Sequence, residues 1–224
     1  MFEEIRNNID FFIRNKTRFS RKNFIEKNKL LLERNKNENL YTYQVLDDYF
    51  NKNLKEKISV LDIGSKNWFY AEGEYKYFKS FCKNFELDGI EIDAFRLYSN
   101  LYSRYEVAQY HIKNLENTNY IVGNLINLEK HYDYIIWFLP FVIPAPHILW
   151  GLPKRLFYPE KLLKHAYKLL NPDGQMLIIN QGIYEAEEQK KLLDKLNIPY
   201  EELGKITNKF FEYQNQRFGY LIKK

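Results

Sequence analysis

Residues 58–68, Ile-Ser-Val-Leu-Asp-Ile-Gly-Ser-Lys-Asn-Trp, restrict the fold of this chain more than any other stretch. An apolar run with β-branched residues ends in Asp62, then Gly64, then polar residues. A buried parallel strand reads this way when it breaks into a tight turn at its carboxyl end. In open α/β sheets ligands bind there, in the crevice above the strand ends. A second strand, Leu87-Asp88-Gly89-Ile90-Glu91-Ile92-Asp93, also ends in carboxylates. An acidic side chain at that position is placed to accept hydrogen bonds from a ribose diol. The two strands together point to a nucleoside-containing cofactor.

From residue 57 strands and helices alternate, which predicts an α/β fold with a parallel sheet. Strands are expected near 58–63, 87–92, 119–122, 133–138 and 175–180, and helices near 72–85, 95–109, 159–170 and 184–196. Asn171-Pro172-Asp173-Gly174 reads as a turn, with Pro presetting φ and Gly tolerating a left-handed exit. Two further strands are expected near Tyr200–Ile206 and Arg217–Ile222. Residues 1–56 read as helices: Ile5, Ile9, Phe12 and Ile13 have helical spacing, and Asn23 with Glu26 resembles a capping box. Another helix is expected over Tyr41–Asn51, with Tyr43, Leu46 and Phe50 on one face. With no Pro/Gly/Ser linker and no repeat, 1–56 is expected to pack as a helical extension on a main domain spanning 57–224.

Val60-Leu61-Asp62-Ile63-Gly64 followed by Gly89-Ile90-Glu91-Ile92-Asp93 resembles the first two motifs of class I S-adenosylmethionine-dependent methyltransferases. Tyr120–Leu125 resembles the third strand and adenine-contacting turn of that family, Tyr132–Ile136 its fourth strand, and Leu169–Ile179 its helix end, turn and fifth strand. The likeness covers residues 57–223, and its weight lies in the order of the motifs. It implies a doubly wound, Rossmann-like, mostly parallel sheet of seven strands, the last antiparallel, with helices on both faces. It implies S-adenosyl-L-methionine as cofactor, with Asp62 and Gly64 flanking its methionine moiety, Glu91 at the ribose, Asn124 at the adenine, and Ser65, Ile92 and Leu125 also among the cofactor-binding residues. The first motif departs from the family pattern: Lys66 stands where a second glycine is usual and Trp68 where a third often sits. Glycines there accept positive φ and let the backbone approach a ligand.

The fourth strand exits through Trp137-Phe138-Leu139-Pro140-Phe141, which lacks the polar residue of the Asn/Asp-Pro-Pro-Tyr motif of amino-group methyltransferases. That chemistry is disfavoured, and the apolar lining suits a flat or hydrophobic substrate. His147 is the one titratable group in the following apolar loop and is the candidate base, although a lone histidine is more often structural. His111, His131 and His165 lack metal-ligand spacing.

One cysteine, Cys82, excludes an internal disulfide and any cysteine zinc cluster, and reads as a core residue in the helix expected over Tyr75–Phe85. The first residues lack a signal peptide's basic start and apolar core. Residues 134–152 are uncharged and long enough to test as a membrane span, but Pro140, Pro144 and Pro146 favour a strand and an apolar loop. A cytoplasmic protein is expected. Within 14–36, nine Lys/Arg face only Glu26 and Glu33, a local excess above the whole chain's net charge of +5, and Phe19 and Phe24 interleave. Such a stretch is either a solvated helix face or a surface combining phosphate contacts with base stacking. The resulting expectation is methyl transfer, tilted toward RNA over a small molecule. The rival is a non-enzymatic domain of the same fold that has lost the cofactor and binds nucleic acid or a protein. Oligomeric state is not legible.

Overall fold

The apolar run opens the sheet as β1 (Lys57–Ile63) in a computed structural model that describes residues 21–52, 55–98 and 101–224, with side chains from residue 35 onward. β1 pairs in parallel with β2 (Asn84–Glu91) on one side and β4 (Tyr132–Phe138) on the other. β3 (Thr118–Val122) extends the sheet beyond β2, and β5 (Leu170–Gln181) beyond β4. β7 (Arg217–Lys223) pairs antiparallel to β5, and β6 (Glu201–Ile206) antiparallel to β7. The strand order is β3-β2-β1-β4-β5-β7-β6. The chain therefore winds outward from β1 to β3 and then reverses at the β1/β4 boundary, leaving a crevice over the strand ends.

Six α-helices and two short 3₁₀ turns (Leu125–Asn127 and Lys154–Leu156) complete the described fold, the α-helices being α1 (Arg21–Tyr49), α2 (Ala71–Lys79), α3 (Arg104–Ile112), α4 (Pro144–Leu149), α5 (Pro159–Leu169) and α6 (Gly182–Lys195). Strand alternation divides the core into two. Val60, Tyr134, Ile136, Leu177 and Ile179 pack with residues of α1, α2 and α3. Leu61, Ile135, Trp137, Met176 and Ile178 pack with residues of α5 and α6. Burying an aliphatic side chain of this size contributes about 1.5–3 kcal/mol. The central strands are buried on both sides, which explains their near-continuous hydrophobic runs.

Several boundaries differ from expectation. In place of separate N-terminal helices, residues 21–49 form one helix, because no Pro or Gly interrupts it. The expected helix around Ile5–Ile13 lies outside the described residues, as do the side chains of the Asn23–Glu26 cap, whose backbone is already helical. The helix expected to reach residue 85 ends at Lys79, since β2 begins at Asn84. Cys82 is buried in the connection, facing the carbonyls of Lys55, Glu56 and Asn84. The helix expected from 95 starts at Arg104, after a bridge between Leu97 and Ser103. Its start is a capping box: Ser103 Oγ accepts from the Glu106 N–H, and the Ser103 N–H donates to Glu106 Oε2. At the 171–174 turn, Asp173 and not Gly174 takes the left-handed conformation (φ 62°). Gly174 is demanded by crowding, as a Cβ there would stand 2.8 Å from the Asn171 carbonyl oxygen.

Among the described residues no helix is long and apolar enough to cross a membrane. The uncharged stretch 134–152 supplies most of β4, an apolar loop and the short α4, which opens on Pro144.

Candidate functional site

A trough of about 1030 Å³ runs along the carboxyl edge of the parallel strands. Small-molecule sites usually enclose roughly 300–1,000 Å³, so the trough has room for more than one small ligand. One end lies at β2 and β3, lined by Glu91, Ile92, Gly123 and Asn124. The other lies at β5 and β7, lined by Ile179, Gln181 and Arg217. Because β7 is antiparallel, its first residue, Arg217, is brought beside Gln181 at the end of β5. Neighbouring strands are about 4.8 Å apart, so Glu91 and Arg217 stand about 19 Å apart across the sheet.

The turn after β1 alternates left-handed residues although only one of the pattern's glycines, Gly64, is present. Gly64, Lys66 and Trp68 alternate in the left-handed region, at φ 77°, 55° and 46°. For a residue with a Cβ that conformation costs on the order of 1–2 kcal/mol. Hydrogen bonds hold it in place. The Gly64 and Ser65 N–H groups both donate to the Ile90 carbonyl, at 2.9 and 3.2 Å, and Trp68 N–H donates to the Ser65 carbonyl at 2.8 Å. Tyr120 OH donates to the Lys66 carbonyl. Trp68 turns under the loop, where its indole fills the space over Gly89: a Cβ on Gly89 would lie 2.8 Å from the ring. The Trp68 Nε1–H donates to Glu74 Oε2 at 2.8 Å.

Beneath the turn lie two buried carboxyls, Asp62 and Glu74. Burial pushes the Asp62 carboxyl up to about 7, against the hydrogen bond from Tyr70 OH at 2.9 Å, which lowers it. Burial also raises Glu74 well above the usual carboxylate range, and the Asp62 charge adds to the effect.

Glu91, at the end of β2, is buried with its carboxylate facing the trough. Its Oε2 accepts from the Lys66 N–H at 2.9 Å and its Oε1 from the Asp93 N–H at 2.7 Å. An ionised carboxylate has about four lone-pair sites, so both oxygens retain accepting capacity. Asp93 has a separate task, pairing with Arg96 at 2.6 Å and with the buried Arg104 at 3.1 Å. Beyond Glu91, Ile92 lines the trough with a 40 % exposed apolar side chain.

Asn124 lines the same end, and its Oδ1 caps the short 3₁₀ turn Leu125–Asn127 by accepting from the Ile126 N–H at 3.2 Å. Its Nδ2 donates to Tyr158 OH. Leu125 is buried below it and reaches the trough wall. Ser65 and Asp62 are placed otherwise. Ser65 is buried with its Oγ donating to the Asp62 carbonyl, and neither residue lines the trough. Asp62 reaches the trough only through Tyr70, whose ring does line it.

The loop after β4 roofs the trough. The Trp150 ring contacts two cations, with Lys66 Nζ 5.0 Å and Arg104 Cζ 4.7 Å from its centroid, and its carbonyl accepts from Arg96. His147 is buried in this loop, edge-on to Phe141 and Phe157. Its Nε2–H donates to the Pro153 carbonyl at 2.9 Å, which leaves Nδ1 alone for any proton transfer. The histidine proposed as a base is thus also a fastening of the roof.

At the far end α1 closes the trough with Asn35, Glu38, Tyr41 and Thr42. From sequence this helix has only a packing face at Tyr43, Leu46 and Phe50, whereas the face it buries includes Glu38, Tyr41, Thr42, Val45 and Leu46, a mixture of polar and apolar types. Tyr70, Trp150 and Arg217 were missed for another reason: each depends on a contact between distant segments. The basic side chains of 14–34 lie outside the described residues. Among the described residues no group of three His, Cys, Asp or Glu is placed to hold a metal ion.

No family model matches the chain, and no curated protein matches it in sequence. Solved structures do match in fold. A SAM-dependent methyltransferase from Aquifex aeolicus is 17 % identical, with a TM-score of 0.56 over 83 % of this chain and 90 % of that one. Magnesium protoporphyrin IX methyltransferase from Synechocystis, solved with bound SAM, is 13 % identical, with a TM-score of 0.52 over 97 % of both chains. A putative S-adenosyl-L-methionine-dependent methyltransferase from Methanococcus maripaludis is 15 % identical, with a TM-score of 0.56 over 93 % of this chain and 95 % of that one. The chain has the Rossmann-like methyltransferase fold, seven strands with the last antiparallel.

Proposed function

We propose that the protein binds S-adenosylmethionine at the β1–β2–β3 end of the trough and transfers its methyl group to a small acceptor at the β5–β7 end. The observation that carries this reading is Glu91, a buried carboxylate fixed by two backbone amides at the strand end where a ribose diol is bound in such sheets. The neighbouring residues fit the rest of the cofactor. Gly64 and Gly123 line the trough with nothing within 4 Å of where a Cβ would stand, so the backbone is open to a ligand. Asn67, also in the lining, has a buried Oδ1 with no hydrogen-bond partner among the described residues, a spare acceptor for an ammonium or hydroxyl group. Ile92 and Leu125 offer apolar surface to a base.

Bound there, the cofactor would supply an activated methyl group to an acceptor's lone pair, the electron pair of the broken carbon–sulfur bond staying on sulfur. The protein's share is positioning and exclusion of water. Glu91 orients the ribose, and Trp150, held by Lys66 and Arg104, covers that end. Phe138, Leu139 and Phe141 give the passage toward the acceptor an apolar wall. Roofing by α1 and the loop after β4 favours an acceptor that fits wholly inside, and this turns the reading from RNA toward a small molecule. Calorimetric titration with S-adenosylhomocysteine tests the core of the proposal. Binding at micromolar concentration that is lost in Glu91→Ala supports it; no heat at millimolar ligand overturns it.

A further inference from the structure

The β7 end of the trough holds a cation, Arg217, that forms an ion pair with no carboxylate among the described residues. Arg217 is 9 % exposed and lines the trough. Its Nη1 donates to the Asn215 carbonyl at 3.0 Å and, at 3.4 Å, to Gln181 Oε1, and its guanidinium lies 4.3 Å over the Tyr213 ring. These partners are all neutral. Glu185 lines the same end and attracts Arg217 at a distance, but its Oε2 accepts from the Gln181 N–H and it forms no ion pair with the guanidinium. A guanidinium has five N–H donors in a fork that matches a carboxylate. Those on Nε and Nη2 find no acceptor among the described residues. A buried charge left this way is costly unless a ligand completes it. Around it the wall is aromatic: Tyr41, Phe69, Tyr70, Phe138 and Tyr213 all line the trough.

We infer that this end is a carboxylate subsite, in which Arg217 anchors a small acceptor whose aromatic body lies among Tyr41, Phe69, Phe138 and Tyr213. That the bound acid is a methyl acceptor rests on the methyl-transfer reading, while the anion site itself stands on Arg217 alone. The antiparallel course of β7 explains why the anchor is there. It brings the strand's first residue to the edge where the parallel strands end, at the opposite end of the trough from Glu91.

The test uses the full chain and matched pairs of probes: benzoate, phenylacetate, 4-hydroxybenzoate and 4-coumarate, each against its primary amide, with and without S-adenosylhomocysteine. Ligand-observed NMR titration is expected to show at least one acid binding tenfold or more tightly than its amide, a preference removed by Arg217→Gln and partly kept by Arg217→Lys. The wild-type comparison needs no variant, so a misfolded substitution does not blunt it. Equal affinity of acids and amides, absence of binding by all four acids, or a preference that survives in folded Arg217→Gln overturns the inference. Arg217-dependent acid binding without S-adenosylhomocysteine binding would keep the anion site and remove the methyl-transfer reading. The converse result would keep that reading and remove the subsite.

Discussion

The Glu91 carboxylate accepts the backbone N–H of Lys66 at 2.9 Å, so the end of β2 sets the shape of the turn after β1. Glu91 is therefore two things at once, a candidate ribose ligand and the clamp on the loop that would cradle the cofactor. A carboxylate satisfies both the Lys66 and Asp93 amides; a carboxamide can satisfy one and presents an N–H to the other.

Glu91→Gln is expected to lower stability by about 1–3 kcal/mol, the cost of leaving a buried donor unmatched. Affinity for S-adenosylhomocysteine should fall at least tenfold in the fraction that remains folded. Urea denaturation read by circular dichroism, beside calorimetry, separates the two effects. A variant as stable as wild type would show that the amide contacts contribute nothing.

At position 66 the left-handed backbone makes an unusual ranking testable. Alanine normally outranks glycine because glycine's unfolded chain is freer, by about 0.4–1 kcal/mol. At φ 55° the order should reverse, since a Cβ there costs about 1–2 kcal/mol. Lys66→Gly is expected to be more stable than Lys66→Ala by about 1 kcal/mol, with both losing the contact to Trp150, worth about 0.5–1 kcal/mol. Comparing the two variants in urea cancels that shared loss. Equal or inverted stabilities would contradict the left-handed turn.

The sheet was legible in the sequence because its strands are short apolar runs bounded by breakers, and strand alternation depends only on neighbours in the chain. Asp62, Glu91 and Asn124 were legible as strand-end residues by their place after such runs. Their partners were not. That Asp62 would be buried behind Tyr70, that Asn124 would cap its own turn, or that Trp68 would fill the space over Gly89 depends on contacts between segments. The two missing glycines left open whether the Lys66 side chain turns outward or the turn changes shape; the left-handed conformation is present at 66 and 68, held by Glu91, Tyr120 and the buried indole. Arg217 gave no local signal: an antiparallel last strand was expected, but that its opening arginine would be buried beside Gln181 and Tyr213 depends on contacts between segments.

Asp62 makes stability depend on pH. Its folded pKa of about 7 lies above the ordinary 3.8 because burial disfavours the charge. Between those values the native state binds more protons than the unfolded state, so stability falls as pH rises from about 4 to 7 and levels off above. For a fully buried carboxyl, the gap between the two values corresponds to on the order of 4 kcal/mol. Glu74 is raised in the same direction and extends the fall. Asp62→Asn, which keeps an oxygen for the Tyr70 hydroxyl, should flatten the slope and raise stability at pH 8. Melting temperatures from pH 4 to 9 check this, and a wild-type curve that rises through the window would refute the assignment.

Gly73 fixes how α1 closes the acceptor end. A Cβ there would stand 2.3 Å from the Asn39 carbonyl oxygen, a backbone atom that cannot swing aside. The same two residues are joined by hydrogen bonding: the Gly73 N–H donates to Asn39 Oδ1 at 2.6 Å, and Asn39 Nδ2 donates to the Phe69 carbonyl at 2.9 Å. Gly73→Ala must push α1 away from α2, breaking these bonds and loosening Tyr41, Val45 and Leu46 in the core. Overpacking of this kind costs about 1–3 kcal/mol, and the lost bonds to Asn39 add to it. The sheet is remote from the clash, so hydrogen exchange should quicken across residues 35–49 while the amides of β1, β4 and β5 stay protected. Because Asn35, Glu38, Tyr41 and Thr42 line the acceptor end, the same variant should weaken acid binding at Arg217 more than S-adenosylhomocysteine binding at Glu91. Equal losses at both ends would mean that α1 supports the whole trough and does not close one end of it.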